Sequence, residues 1–166
     1  MERYVVMGVS GCGKSTIGKA LAQAIGGAFV DADDLHPPSN IAKMSAGIPL
    51  NDQDRAPWLE LVGQNLAQEQ GPCVAACSAL KRIYRDQITK AAQMPVRFIY
   101  LHGSPELLLA RMQARTDHFM PPGLLVSQLA TLEAPDGHEN ALTVDIDQTP
   151  EEILNAIMAA DFADAG

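Results

Sequence analysis

The chain lacks what would mark it as a nucleic-acid, membrane or secreted protein. Its 12 Lys and Arg stand against 20 Asp and Glu, a net charge of −8. That balance leaves no basic footprint for a phosphate backbone or an anionic bilayer, so no nucleic-acid partner and no membrane surface is expected. No apolar run approaches the roughly 20 residues that cross a bilayer. Cysteine is scarce, with 3 in all and no metal-type spacing. Cys73 and Cys77 fall in an apolar run and are expected as buried thiols, which fits a reduced, cytoplasmic protein. The opening MERYVVMGVSG enters a strand almost at once, without a charged-then-apolar leader. Repeats, low-complexity stretches and long linkers are also missing. With 47% hydrophobic and 19% charged residues over 166 positions, a single domain spanning 1–166 with one real core is expected.

What is present is an alternation. RYVVMG, AFVDAD, PCVAACSA, VRFIYLHG and ALTVDID have strand character, and PCVAACSA is the unbroken apolar kind that a parallel sheet buries on both faces. Helical spacing fills the intervals. Residues 14–26 align Ile17, Leu21, Ala24 and Ile25 and close at Gly26-Gly27. A short helix is expected over 40–48. DQDRAPWLELVGQNLAQEQG opens with aspartates that would cap it, and it aligns Trp58, Leu59, Val62 and Leu66. IYRDQITKAAQ, SPELLLARMQAR and LLVSQLATLE follow, and Thr149 caps TPEEILNAIMAADF. The pattern predicts an α/β fold, a three-layer parallel sheet with helices on both faces. About 36–70 would form a helical insert for substrate, and TDHFMPPG, about 115–125, a lid.

One stretch carries chemistry by itself. GVSGCGKS, residues 8–15, satisfies the G-x-x-x-x-G-K-[ST] pattern, follows a strand and opens a helix. In a P-loop of this kind, Gly8, Val9, Ser10, Gly11, Cys12, Gly13, Lys14, Ser15 and Thr16 wrap phosphates. Gly11 and Gly13 allow the tight fold that aims N–H groups inward, and the helix N-terminus adds to the field. Lys14 supplies a cation to the β- and γ-phosphates, and the Ser15 hydroxyl suits Mg²⁺. ATP and Mg²⁺ are therefore the expected cofactors. Cys12, near Lys14, has surroundings that favour a thiolate, although a merely tolerated small residue explains it as well.

The chain lacks the N/T-K-x-D and D-x-x-G motifs of a guanine-nucleotide switch. A small kinase remains, or an ATP-binding interaction module without turnover. VDADD decides what to look for. Asp31 and Asp33 leave the end of the second strand, and on an extended chain they share a side. If that strand lies near the first, both face the phosphates. Asp33 is expected to orient an attacking hydroxyl and take its proton late; holding an Mg²⁺-bound water is the alternative. Asp34 is expected to cap the following helix. Lys43, Arg55, Lys81, Arg82 and Arg85, with Ser78 at the end of the third strand, suggest a basic acceptor pocket for a substrate with hydroxyls and a negative group. His36 either bonds a substrate hydroxyl or sits in a turn. Arg111 and Arg115 share a helix face ahead of the lid, where they would reach the phosphates on closure or simply face solvent. Gln128 and Glu133 receive no role, and Trp58 is expected to pack the insert helix.

These residues resemble a known family. GVSGCGKST, DADDLHP, NIAKMSAGIPLNDQDRAPWL, CSALKRIYRD and HFMPPGLLVSQLATLEAP are similar, in order and spacing, to the gluconokinases of the P-loop type over roughly residues 4–147. The phosphate loop is widely shared; DADDLHP, GIPLNDQDR and CSALK are the specific stretches. The resemblance implies ATP-dependent phosphorylation of D-gluconate to 6-phosphogluconate, a nucleoside-monophosphate-kinase-like fold with a closing lid, and a homodimer. It agrees with the site read from the residues, in which Lys14, Asp33, Arg111 and Arg115 are the expected catalytic residues and Asp31, Asp33, His36, Lys43, Arg55, Ser78 and Lys81 the expected acceptor site.

Overall fold

A computed structural model describes residues 2–114 and 122–162. Five strands run parallel in the order β2-β3-β1-β4-β5. They are β1 (Arg3–Met7), β2 (Ala28–Asp31), β3 (Cys73–Ala76), β4 (Arg97–His102) and β5 (Ala141–Asp145). Seven helices join or follow them: α1 (Lys14–Ala24), α2 (Pro38–Ser45), α3 (Asp52–Gln68), α4 (Arg82–Ala92), α5 (Pro105–Ala114), α6 (Pro122–Thr131) and α7 (Pro150–Asp161).

The central strand explains the layers. Every residue of β1 is buried. Successive side chains alternate between faces, as a strand requires. Tyr4 and Val6 join Ile17 and Leu21 of α1, Leu108 of α5 and Ile153 and Ile157 of α7. Val5 and Met7 join Leu59, Val62 and Leu66 of α3 and Tyr84 and Ile88 of α4. Each such aliphatic side chain, fully buried, contributes roughly 1.5–3 kcal/mol. The expected apolar face of α3 is therefore the face that packs, Trp58 included. Within 36–70, α2 is joined to α3 by the bonds of Asn40 and Lys43 to Asp54, whereas α3 belongs to one of the two covering layers.

Local chemistry sets the helix ends, with some differences from expectation. The cap of α3 is Asn51, whose side chain accepts from the Asp54 N–H while Asp54 accepts from the Asn51 N–H. This reciprocal box displaces the aspartates as the cap. Thr149 and Glu152 form the same box at α7, as its sequence suggests. The short helix starts at Pro38, a residue preorganised for a first turn, and ends at Ser45, earlier than 48.

Arg85 departs most from expectation. It is 2% exposed and belongs to no acceptor pocket. Its Nε donates to Glu139 at 2.7 Å, and its other nitrogens donate to the carbonyls of Ala79 and Glu133 at 2.8 Å each. The side chain thus ties α4 to the turn after β3 and to the segment before β5. Ala79 takes part with a left-handed backbone, φ 45°. Removing one partner of a buried pair strands the other charge, so Arg85→Ala should lower the unfolding free energy by about 3–5 kcal/mol. Urea unfolding followed by circular dichroism measures this. A loss within about 0.5 kcal/mol, the level of an ordinary surface change, would show that the cluster stabilises nothing.

Candidate active site

Strand register builds the site. Asp31 pairs with Ala76, and Ala76 with Val6, so these three form one row across β2, β3 and β1. Two residues beyond that row come Asp33, Ser78 and Gly8. The Gly8 N–H donates to the Ser78 carbonyl at 3.3 Å, which continues the alignment past the sheet. β2 is not adjacent to β1, since β3 lies between them. Acceptor chemistry and phosphate chemistry nevertheless open on the same rim, where ligands of parallel sheets bind.

The loop after β1 has the conformation its glycines allow. Gly11 and Gly13 sit at φ 87° and 91°. A Cβ on Gly11 would lie 2.9 Å from Met112 Cγ and 3.1 Å from the Leu108 carbonyl, so α5 presses directly on the loop. Gly13 is the N-cap of α1 and offers no side chain to its free N–H groups, which are left for an anion. Lys14 Nζ folds back to the Val9 carbonyl at 3.3 Å. Ser15 and Thr16 occupy the first turn of α1, and Val9 is buried beneath. Cys12 is 1% exposed and packs in the core with Val9 and Leu108, as a small structural residue would. The Ser10 N–H donates to Gln128 Oε1 at 2.6 Å. Gln128 was given no role from sequence, and 118 residues of separation offer no local signal for it.

Past β2 the chain turns more tightly than expected. The strand stops at Asp31, and residues Ala32–Leu35 form a single 3-10 turn. Asp31 and Asp33 therefore do not share one side of an extended strand. Asp31 caps this turn, its Oδ1 accepting from the Asp33 N–H at 3.0 Å, whereas Asp34 lies inside the turn and does not cap the following helix, whose N-cap is Pro37. Asp33 is exposed at the rim, and partial desolvation and the Asp31 charge raise its carboxyl from the ordinary value, against the pull of Lys14. Asp33 is thus more basic than an ordinary carboxylate and feels the loop lysine. His36 stacks on Trp58, ring centroids 4.2 Å apart, and the Trp58 indole donates to the Ala32 carbonyl at 2.7 Å.

Most of the predicted basic pocket is paired internally. Lys43 meets Asp54 at 2.8 Å, Lys81 meets Asp52 at 3.2 Å, and Arg82 meets Asp136 at 3.5 Å. Arg55 differs: among the described residues it makes no ion pair within 4.0 Å, and it donates to the Tyr84 hydroxyl at 3.2 Å. Tyr84 in turn donates to Asp52. Sequence reading missed Tyr84, which looks there like any aromatic on an amphipathic helix. Glu133 accepts from the Arg82 N–H at the start of α4.

On the other side of the loop lies a cavity of about 190 Å³, lined by Gly13, Thr16, Arg111, Pro150 and Ile153 among others. Arg111 donates to the Ile146 and Gln148 carbonyls. It therefore forms a wall of that cavity and is tied to the loop after β5. Arg115, His118 and the rest of the predicted lid up to residue 121 lie outside the described residues.

A Walker-type loop with Ser78 and the Asp33 carboxylate beside it on one rim of a parallel sheet defines a P-loop kinase of the small-molecule class. Comparison with known proteins narrows this. The shikimate kinase family model matches residues 10–160. A gluconokinase of Gluconobacter oxydans is 45% identical over 157 residues, 93% of this chain and 88% of that protein. The crystal structure of a gluconokinase from Sinorhizobium meliloti superposes with a TM-score of 0.86 at 47% identity, covering 99% of this chain and 97% of the other. Shikimate kinase from Aquifex aeolicus shares the fold, with a TM-score of 0.61 at 15% identity over 98% of both chains. The chain belongs to the gluconokinase family, within the wider shikimate-kinase-like group of P-loop kinases.

The pairing of Asp31 with Asp33 yields a pH prediction. Asn at position 31 keeps an oxygen for the cap but removes the charge that raises the Asp33 pKa. The ionised base then persists to lower pH, so the acid limb of kcat/KM in Asp31→Asn should move to lower pH. An unmoved limb would exclude Asp33 as the group that sets it.

Proposed function

We propose that the protein transfers the γ-phosphoryl group of ATP to a hydroxyl of D-gluconate, forming 6-phospho-D-gluconate. The observation that carries this reading is the shared rim: Gly8, Ser78 and Asp33 each lie two residues beyond one in-register row. The loop amides and Lys14 hold the phosphates. Ser15 is the hydroxyl ligand for Mg²⁺, which when bound neutralises charge on the transferring group. No cluster of three or more His, Cys, Asp or Glu occurs among the described residues. That donor set suits a Mg²⁺ held by few protein ligands plus substrate phosphates. Arg111 and Pro150 flank the cavity for the nucleotide base. Asp33 accepts a hydrogen bond from the attacking hydroxyl, orients it, and takes its proton as the bond to phosphorus forms. Arg55 receives the substrate carboxylate, because its neighbours' charges are already matched and its planar fork suits a carboxylate. Asp31, Lys43, Ser78 and Lys81 shape the acceptor wall, and His36 faces a hydroxyl.

The same reading keeps one domain over 1–166, with acceptor elements in 36–70 and a lid about 115–125 from which Arg115 brings a cation to the phosphates. It also includes a homodimer and a cytoplasmic location. Cys73 and Cys77 are free, buried thiols, and no helix among the described residues is long and apolar enough to cross a membrane.

ADP release with Mg-ATP should require D-gluconate and should not occur with shikimate or AMP. Lys14→Ala should abolish it, and Asp33→Asn should slow it by roughly 10²-fold or more. Turnover with shikimate instead would move the chain to the other branch of its group. Arg55→Ala should raise KM for gluconate and erase the preference for gluconate over uncharged gluconamide. A preference that survives would assign the carboxylate to another residue.

A further inference from the structure

We propose that Asn40 is a positioning residue that fixes the tautomer of His36, so that His36 offers a neutral Nε2–H donor to an acceptor hydroxyl beside the one held by Asp33. This rests on the polyol-phosphorylation reading above.

The argument begins with one nitrogen. Asn40 lies on α2 and is 2% exposed. Its Nδ2 is 2.9 Å from the Asp54 carbonyl and 3.2 Å from His36 Nδ1. A carbonyl only accepts, so the side-chain atom facing Asp54 must be the amide nitrogen, and chemistry settles the orientation of the carboxamide. That nitrogen only donates. His36 Nδ1 must therefore present a lone pair to it, which leaves the ring neutral with its proton on Nε2. A histidinium, or the opposite tautomer, would set N–H against N–H in a part-buried contact with the buried Asn40.

The ring is also held in place. It stacks on Trp58 with an interplanar angle of 14°, and the indole is anchored to the Ala32 carbonyl. Turning the imidazole over would put a carbon opposite Asn40 and strand a buried amide hydrogen. The charged neighbours that act on the ring are Asp33 in the 3-10 turn and Arg55 on α3. Trp58 on α3 and Asn40 on α2 add no charge. Burial, helped by Arg55, lowers the His36 pKa despite the opposing pull of Asp33.

The arrangement has chemical value. A hydroxyl has a proton to give and lone pairs to fill. Asp33, when ionised, can only accept. A histidinium beside it would form an ion pair and weaken it as a base, whereas a neutral N–H supplies the missing donor and leaves the carboxylate basic. The sequence encodes the geometry in HPPSN. His36 and Asn40 are four residues apart, and Pro38 starts the helix that points one back at the other.

Protein labelled with ¹⁵N-histidine, observed by long-range ¹H–¹⁵N correlation at about pH 7.5, tests this directly. His36→Gln assigns the signals. The expected result is a proton-bearing Nε2 and a bare Nδ1, with a larger shift at Nε2 than at Nδ1 when D-gluconate is added. A protonated ring or an Nδ1–H tautomer would overturn the proposal, as would no response at Nε2 to an acceptor that the enzyme phosphorylates. Asn40→Asp replaces the donor by an acceptor and should move the proton to Nδ1. KM for gluconate should then rise about tenfold with KM for ATP unchanged. An unchanged gluconate KM would overturn the role. If that variant does not fold, the wild-type tautomer decides. Should the wild-type enzyme use another acceptor, the gluconate reading falls separately, because the tautomer is measured without any acceptor.

Discussion

The site depends on the hydrogen-bond register of three neighbouring strands. β1, β3 and β2 are locked in parallel with Val6, Ala76 and Asp31 on one line. Whatever follows each strand must therefore emerge at the same depth. A slip of one residue in β2 would turn its side chains to the opposite faces and carry the carboxylates away from the rim. Burial of β1 on both faces makes that register expensive to change. Packing energy spent in the core is thus what holds a phosphate loop and a carboxylate at a fixed separation, and positioning is most of what phosphoryl transfer asks of a protein.

Charge is organised on a smaller scale than composition suggests. A chain at −8 that takes two anionic ligands, as proposed, would do so with local fields: loop amides, a helix N-terminus, Lys14 and Arg55. The other cations near the acceptor side are matched to Asp52, Asp54, Asp136 and Glu139. The exposed pairs among them are individually weak. Their service is geometric, since each fixes where α2, α3 or α4 begins or ends. If Arg55 takes the carboxylate as proposed, matching most other charges would also make it selective, because an incoming carboxylate would meet one open fork and not a diffuse basic surface.

Much of this was legible in the chain. The five strands, the order of the helices and the phosphate loop follow from periodicity, capping residues and a motif whose geometry is nearly self-contained. The apolar face of α3 was read from spacing alone. What escaped was whatever depended on tertiary partners. Arg85 has the composition of a solvated helix position, and only the fold brings Glu139 and two carbonyls around it. Asp31 and Asp34 are chemically alike, and the tight turn decides which one caps. Gln128 and Tyr84 gain roles from residues far away in sequence. Arg111 has the spacing of an arginine ahead of a lid, and only the fold brings it the carbonyls of the loop after β5. Local rules thus located the chemistry, and long-range contacts distributed the tasks within it.

The turn after β3 makes a residue with almost no side chain consequential. Ala79 adopts φ 45°, is buried, and turns its carbonyl to Arg85. The same residue follows Ser78, whose carbonyl receives the Gly8 N–H. The left-handed region costs an alanine about 1–2 kcal/mol, and a β-branched residue more. Selection at this position therefore acts on the main chain. Glycine or asparagine would be accepted there, whereas valine, isoleucine or threonine would be rejected although each is apolar or small enough to suggest a conservative exchange. Exposed charged residues would thus tolerate exchange at little cost, whereas the chain is confined at a buried methyl group by its own backbone.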